Sequence, residues 1–250
     1  MHWSKRDIEQ LSIHFEGELF INDSQTSRMT KRLYATDASV YEVKPTAVAI
    51  PSNSKDIKRL IQFAANHKTN IIPRGAGTSL AGQVVGDGIV MEISAKMAKI
   101  IQLNKKEQSV WVEPGIIRDD LNKHLAPAEL FFGPETSTAN RALIGGMIGN
   151  NSCGLHSIVW GTTRDHLMEI RAWLSDGTEI HTEPLSLEAF YKKTTLTNLE
   201  GTIYRELHRI LNNPEIQSLI RNAFPKAEIK RRNRSEEHTS ELQSRLQISY

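Results

Sequence analysis

Short apolar runs alternate with amphipathic stretches along this chain, and the period of each pattern assigns it to a strand or a helix. Ile8, Leu11 and Phe15 recur at helical spacing and predict an entry helix within residues 1–19; the polar NDSQTSR segment that follows reads as a loop. From Val48 the order becomes strand, helix, strand: VAI, then SNSKDIKRLIQFAANHK, then NIIP. Ser54 is placed as the helix cap and Asp56 in its first turn, with Ile57, Leu60, Ile61 and Ala64 on one apolar stripe. Strands on either side of such a helix make a βαβ unit. Ile89 to Ile93 and Val110 to Val112 also read as strands, while RDDLNKHLA sets Leu121 and Leu125 on one face of a short helix. MEIRAWLSDGTEI predicts a hairpin turning at Asp176 and Gly177. Ile203, Leu207, Ile210 and Leu211 mark a helix ending near Pro214, and PEIQSLIRNAF forms a further helical segment.

The residues that interrupt this pattern carry the chemistry. PRGAGTSLAGQ, Pro73 to Gln83, follows directly on the strand NII and concentrates glycine with hydroxyl side chains. Glycines let successive backbone N–H groups converge on an anion, Thr78 and Ser79 add hydroxyl donors, and Arg74 offers a nearby positive charge. The Rossmann pattern fails here because Leu80 follows Gly75 and Gly77 where a third glycine is needed. A Walker loop fails as well, since Gln83 and Val84 stand where Lys and Ser or Thr belong. A second glycine-rich region, GPETST followed by IGGMIGNNSCG, repeats the chemistry with Gly145, Gly146, Gly154, Asn150, Asn151 and Ser152. Paired cradles suggest a long ligand with a central pyrophosphate held from both sides.

Composition narrows the class. Hydrophobic residues form 39% and charged residues 24% of the 250, ordinary soluble usage and far from the signature of disorder. A formal charge of +2 gives no electrostatic reason to expect nucleic acid, and the KRR and KRRNR runs read as solvated faces. No apolar run reaches the ~18 to 20 residues of a membrane span, and the start MHWSKRDIEQ lacks a signal-like apolar core, so a cytoplasmic location is expected. The single cysteine, Cys153, excludes an internal disulfide and a cysteine-based metal cluster, and no metal ligands are assigned.

The motifs YATDASVYEVKPTAVAIP, IIPRGAGTSLAGQ, VEPG, LFFGPETSTAN, IGGMIGNNSCG, WGTTRDHLMEI and LSDG, spread over Tyr34 to Gly177, resemble the flavoproteins with a p-cresol methylhydroxylase (PCMH) or vanillyl-alcohol oxidase type FAD domain. Within them the wording is most similar to D-lactate, glycolate and D-2-hydroxyglutarate dehydrogenases. GPETSTAN with IGGMIGNNSCG points to the long forms that append an iron-sulfur domain.

The resemblance implies an α+β fold, the PCMH-type fold, of two α/β subdomains with FAD between them. They are drawn at 20–101 and 102–224, after an N-terminal helical segment at 1–19. It implies that Pro73, Arg74, Gly75, Ala76, Gly77, Thr78 and Ser79 wrap the FAD pyrophosphate, with Gln83 near the cofactor. Pro134, Glu135 and Thr136 line the flavin side; Gly145, Gly146, Asn151, Ser152 and Gly154 form the second cradle; Ile180 lies where relatives touch adenine through backbone atoms. Covalently flavinylated relatives carry His in the first loop, where this chain has Thr78 and Ser79, so noncovalent FAD is expected. The implied reaction is oxidation of a D-2-hydroxy acid to the 2-oxo acid, with electrons passing on to an external acceptor. Catalytic residues are expected in a cap domain that is missing here, and an iron-sulfur cluster only in the full-length parent. The alternative is an inert FAD-binding fragment without turnover. Residues 225–250 form a polar tail, expected to be disordered, and RSEEHTSELQS from Arg234 resembles a translated sequencing adapter.

Other conspicuous residues have plainer readings. Cys153 lacks a paired histidine and is read as packing. His156 and His166 are read as hydrogen-bonded structural histidines. Trp111 and Trp173 are read as core, and Trp160, beside the second cradle, as the tryptophan with the best opportunity to meet the flavin.

Overall fold

The computed structural model describes residues 3–223, which divide into two compact units with the break between Gly161 and Thr162. The expectations for residues 225–250, including the adapter resemblance, lie outside the described residues. The fold is α+β, as the motifs implied.

The first unit opens with α1 (Lys5–His14), closed at its start by a reciprocal capping box between Ser4 and Asp7. β1 (Glu18–Phe20) and α2 (Gln25–Leu33) follow. Helix α2 corrects the loop reading of NDSQTSR: Ser24 caps the helix by accepting from the Ser27 N–H, and the buried Lys31 donates its Nζ to the Asn22 carbonyl at 3.2 Å. Next come β2 (Ala47–Ile50), α3 (Ser54–His67), β3 (Ile71–Arg74) and β4 (Ile89–Glu92). The cap of α3 is Asn53 rather than Ser54, its side chain accepting from the Asp56 N–H at 3.0 Å.

The sheet order is β1-β2-β4-β3, so the strands on either side of α3 are not neighbours; β4 lies between them and pairs parallel with both. Helix α3 lays Leu60 and Phe63 against Ala47, Ala49, Ile89 and Met91, with Leu11 and Phe15 closing the cluster. Asp56 does more than complement the helix dipole. Fully buried, it accepts from the backbone N–H groups of Glu16, Gly17 and Ser52 at 3.0–3.1 Å, tying the turn after α1 to the start of α3.

The same unit continues with an antiparallel hairpin, β5 (Ile100–Asn104) and β6 (Ser109–Val112), then α4 (Arg118–Leu125), α5 (Ile144–Asn150) and α6 (Ser157–Trp160). Leu121 and Leu125 of α4 pack with Ile116, Ala142, Ile144 and Met147 in a second core.

In the second unit β7 (Ile170–Trp173) and β8 (Glu179–Thr182) form the expected hairpin. Gly177, at φ +82°, supplies the left-handed residue at its turn. Helices α7 (Leu187–Thr194), α8 (Leu199–Leu211) and α9 (Pro214–Ala223) follow, with Phe190 and Tyr204 buried edge to face at 5.4 Å. Among the described residues no helix is long and apolar enough to cross a membrane.

Candidate cofactor site

Strand β3 delivers its last residue, Arg74, to the start of the first glycine-rich loop. The guanidinium lies 5.1 Å from the Tyr34 ring centre and donates to the Tyr34 and Thr36 carbonyls at 3.2 and 2.8 Å. Arg74 thus pins the YATDAS segment to the loop, an arrangement its sequence position did not reveal. Burial, with Glu92 adding to it, pushes the Tyr34 hydroxyl above its ordinary value against the opposing Arg74 charge. Ala38 N–H donates to the Gly77 carbonyl at 3.0 Å, a second tie between the same segments.

Beyond Arg74 the backbone turns sharply, with Gly77 at φ +67° and Gly82 at φ +73°. Among the described residues none accepts a hydrogen bond from the backbone N–H groups of Gly75, Ala76, Gly77, Thr78 or Ser79. Successive N–H groups left open beside a left-handed glycine are the donor set that an anion such as a pyrophosphate requires. Pro73, Ala76 and Gln83 are exposed, and the Gln83 side chain accepts from the Ala81 N–H at 3.1 Å.

The second glycine-rich stretch is not a loop throughout: Ile144–Asn150 is helix α5, and only Asn151 to Gly154 continue as irregular chain. Gly145 sits where a Cβ would come within 2.7 Å of Pro114 in the VEPG motif, whereas a Cβ on Gly146 would meet nothing within 4 Å. Gly75 abuts Leu143, at 2.7 Å from a notional Cβ, so the first loop adjoins the start of α5. Asn151 ends α5 in the left-handed conformation, and the buried Ser152 Oγ accepts from the Asn150 side chain at 3.1 Å.

The GPETST segment lies alongside. Arg118 donates to the Pro134 and Phe132 carbonyls at 3.1 and 3.3 Å, and Pro134 is fully buried. Thr136 and Thr138 hydroxyls stand 3.0 Å apart. Glu135 Oε1 accepts from the His156 N–H at 3.1 Å and meets His156 Nδ1 at 2.7 Å. That backbone hydrogen bond holds the Glu135 carboxyl below its ordinary value, partial desolvation opposing it and the His156 side chain reinforcing it. The first loop, VEPG, GPETST and the second stretch therefore converge within one unit. Ile180, in β8, belongs to the other unit and is half-buried there.

With this geometry in place, the family model described as FAD binding domain matches residues 45–183. The chain belongs to the FAD binding domain family. Its curated relatives include D-2-hydroxyglutarate dehydrogenase of Escherichia coli (strain K12), 36% identical over 88% of this chain and 22% of that protein. Glycolate oxidase subunit GlcD of Bacillus subtilis (strain 168) is 30% identical over 71% of this chain and 37% of its own length. The chain spans about a fifth of the D-2-hydroxyglutarate dehydrogenases it matches. Among solved structures, an alkyldihydroxyacetonephosphate synthase superposes with a TM-score of 0.61 at 20% identity, covering 72% of this chain and 34% of that one. 6-Hydroxy-D-nicotine oxidase from Arthrobacter nicotinovorans gives 0.60 at 18%, over 68% and 36%. These likenesses establish the FAD-binding-domain fold.

Other features of this FAD binding domain involve residues that the sequence did not assign to the cofactor. A cavity of about 370 Å³ beside VEPG is lined by Ser94, Ile100, Ile117, Asp120 and His124 together with Gly115, the last residue of that motif, and includes none of the residues assigned to the cofactor from sequence. In the second unit Glu169, His181 and Glu183 bring ligand-type atoms within 4.8 Å of one another, and His181 Nε2 already pairs with Glu169 at 2.8 Å. Trp160 is partly exposed, packs edge-on against Phe131 at 4.8 Å and lies against Gly133. Cys153 is half-buried.

Proposed function

We propose that this chain is the FAD-binding portion of a flavin-dependent oxidoreductase that oxidises a D-2-hydroxy acid of the 2-hydroxyglutarate, lactate or glycolate class to its 2-oxo acid. The carrying observation is the run of backbone N–H groups from Gly75 to Ser79, which have no acceptor among the described residues, with Gly77 at its centre in the left-handed conformation. It fits a diphosphate, and the family membership supplies its identity as that of FAD. The relatives named as D-2-hydroxyglutarate and D-lactate dehydrogenases support the substrate class.

When bound, FAD would supply the two-electron redox chemistry. The protein's part begins with orientation. Backbone amides of Gly75 to Ser79, with the Thr78 and Ser79 hydroxyls, hold the pyrophosphate noncovalently. Gly145, Gly146 and Gly154, with Asn151 and Ser152, form the opposing face, and Pro134 to Thr136 line the flavin side, the carbonyl of Pro134 fixed by Arg118. Substrate-holding groups, the general base, the external electron acceptor and any iron-sulfur cluster belong to the remainder of the parent protein.

Absorbance of the purified chain after loading with FAD and removing the excess tests this reading. Flavin retained at about one per chain is the expected result; no retained flavin rejects it. Anaerobic addition of D-2-hydroxyglutarate, D-lactate or glycolate then asks about turnover. Bleaching by one of them assigns substrate groups to these residues, and an unchanged spectrum places those groups elsewhere in the parent.

A further inference from the structure

The glycine contacts single out one place where two cofactor-lining segments meet through side chains. Gly154 approaches Glu135 so closely that a Cβ there would stand 2.4 Å from Glu135 Cγ and 2.8 Å from its carbonyl oxygen. Through that gap Glu135 Oε1 reaches the His156 backbone N–H and ring Nδ1 at 3.1 and 2.7 Å. Gly154 N–H in turn donates to Ser157 Oγ at 2.8 Å, which turns the chain into α6.

We propose that Glu135 and His156 are positioning residues for the cofactor, a clasp that sets the GPETST segment against the end of the second glycine-rich stretch and thereby determines how tightly FAD is held. The inference rests on the FAD reading above. On its far side GPETST is already fixed, with Pro134 fully buried and Arg118 holding the Pro134 carbonyl and that of Phe132 just before the segment. On the near side the clasp supplies the side-chain contact. His156 is 66% exposed along its side chain, and Glu135 30%. A pair this open to water adds little to folding free energy, so its effect falls on the relative placement of the segments it joins. Donation of Nδ1–H to the carboxylate also fixes the tautomer and leaves Nε2 on the outward edge of the ring. His156, read from the sequence as a hydrogen-bonded structural histidine, is hydrogen-bonded here, and its partner is Glu135.

The test uses the full 250-residue chain, with the FAD dissociation constant read from flavin fluorescence and thermal unfolding measured without FAD. Glu135→Ala and His156→Ala are each expected to weaken FAD binding by about tenfold, the loss of a charge-assisted contact. His156→Asn, which keeps an N–H donor where Nδ1 stood, is expected to return affinity to within about threefold of the unsubstituted chain. Should Glu135→Ala not fold, Gly154→Ala displaces the same carboxylate from the opposite side and is expected to weaken FAD equally. Wild-type affinity in the Glu135 and His156 variants overturns the clasp while leaving the FAD reading intact, as does a fall in apoprotein melting temperature with affinity unchanged. An unsubstituted chain that retains no FAD overturns both.

Discussion

Gly77 and Gly146, both assigned to the proposed FAD site, sit in very different backbone surroundings. Gly77 lies in the left-handed region, where a β-carbon costs roughly 1–2 kcal/mol, and that carbon would also meet Arg74 Nη2 at 3.0 Å. Gly77→Ala is therefore expected to lower unfolding free energy by about 1–2 kcal/mol in denaturant titration and to reduce flavin retention. Gly146 has ordinary helical backbone and open space where its Cβ would go. Gly146→Ala is expected to stabilise the apoprotein by roughly 0.5–1 kcal/mol yet, on the proposed FAD reading, to weaken FAD binding by filling space in the second cradle. A variant that gains stability and keeps full affinity would remove Gly146 from the site. The glycine-rich segments were legible in the sequence from spacing and composition, and the left-handed turns at Gly77 and Gly82 fall within the first of them. Side-chain commitments were not: that Arg74 spends its guanidinium on the Tyr34 and Thr36 carbonyls, and that Glu135 reaches His156, depends on segments distant in sequence coming together.

Helix boundaries depend on single hydrogen bonds. Asn53, not Ser54, accepts from the first turn of α3, so Asn53→Ala is expected to cost about 1 kcal/mol and Ser54→Ala a few tenths in equilibrium unfolding. Equal effects would contradict the observed cap. Strongly periodic elements could be read from sequence because their burial is amphipathic: α3, α4, α8 and the β7–β8 hairpin all lie where the apolar spacing and the Asp176–Gly177 turn place them. Helix α2 escaped because its buried positions, Ser27 and Lys31, are polar and satisfied by Ser24 and Asn22. Helix α5 escaped because its glycines mask Ile144 and Met147, whose spacing of three residues was the available signal. Strand β5, IIQLN, lacks clean alternation and is recognised through its pairing with β6.

Across the first unit, stability converges on the cluster where α3 meets the parallel strands. Leu60 has no exposed surface, and Leu60→Ala is expected to cost about 2–5 kcal/mol, read as a shift of the urea midpoint without change of slope. A loss well below that range would mean that neighbouring side chains collapse into the space. The β2-α3-β3 unit was legible because it is local; the insertion of β4 between its strands was not, because a strand's neighbours are set by the whole sheet. That insertion has a consequence for how the chain acquires its shape during synthesis. Strands β2 and β3 leave the ribosome before the segment that must separate them, and all four residues of β4 are buried. A nascent chain that stops short of Ile89 therefore has two strands with an unfilled slot between them, and its sheet can zip only when the later strand threads into the middle.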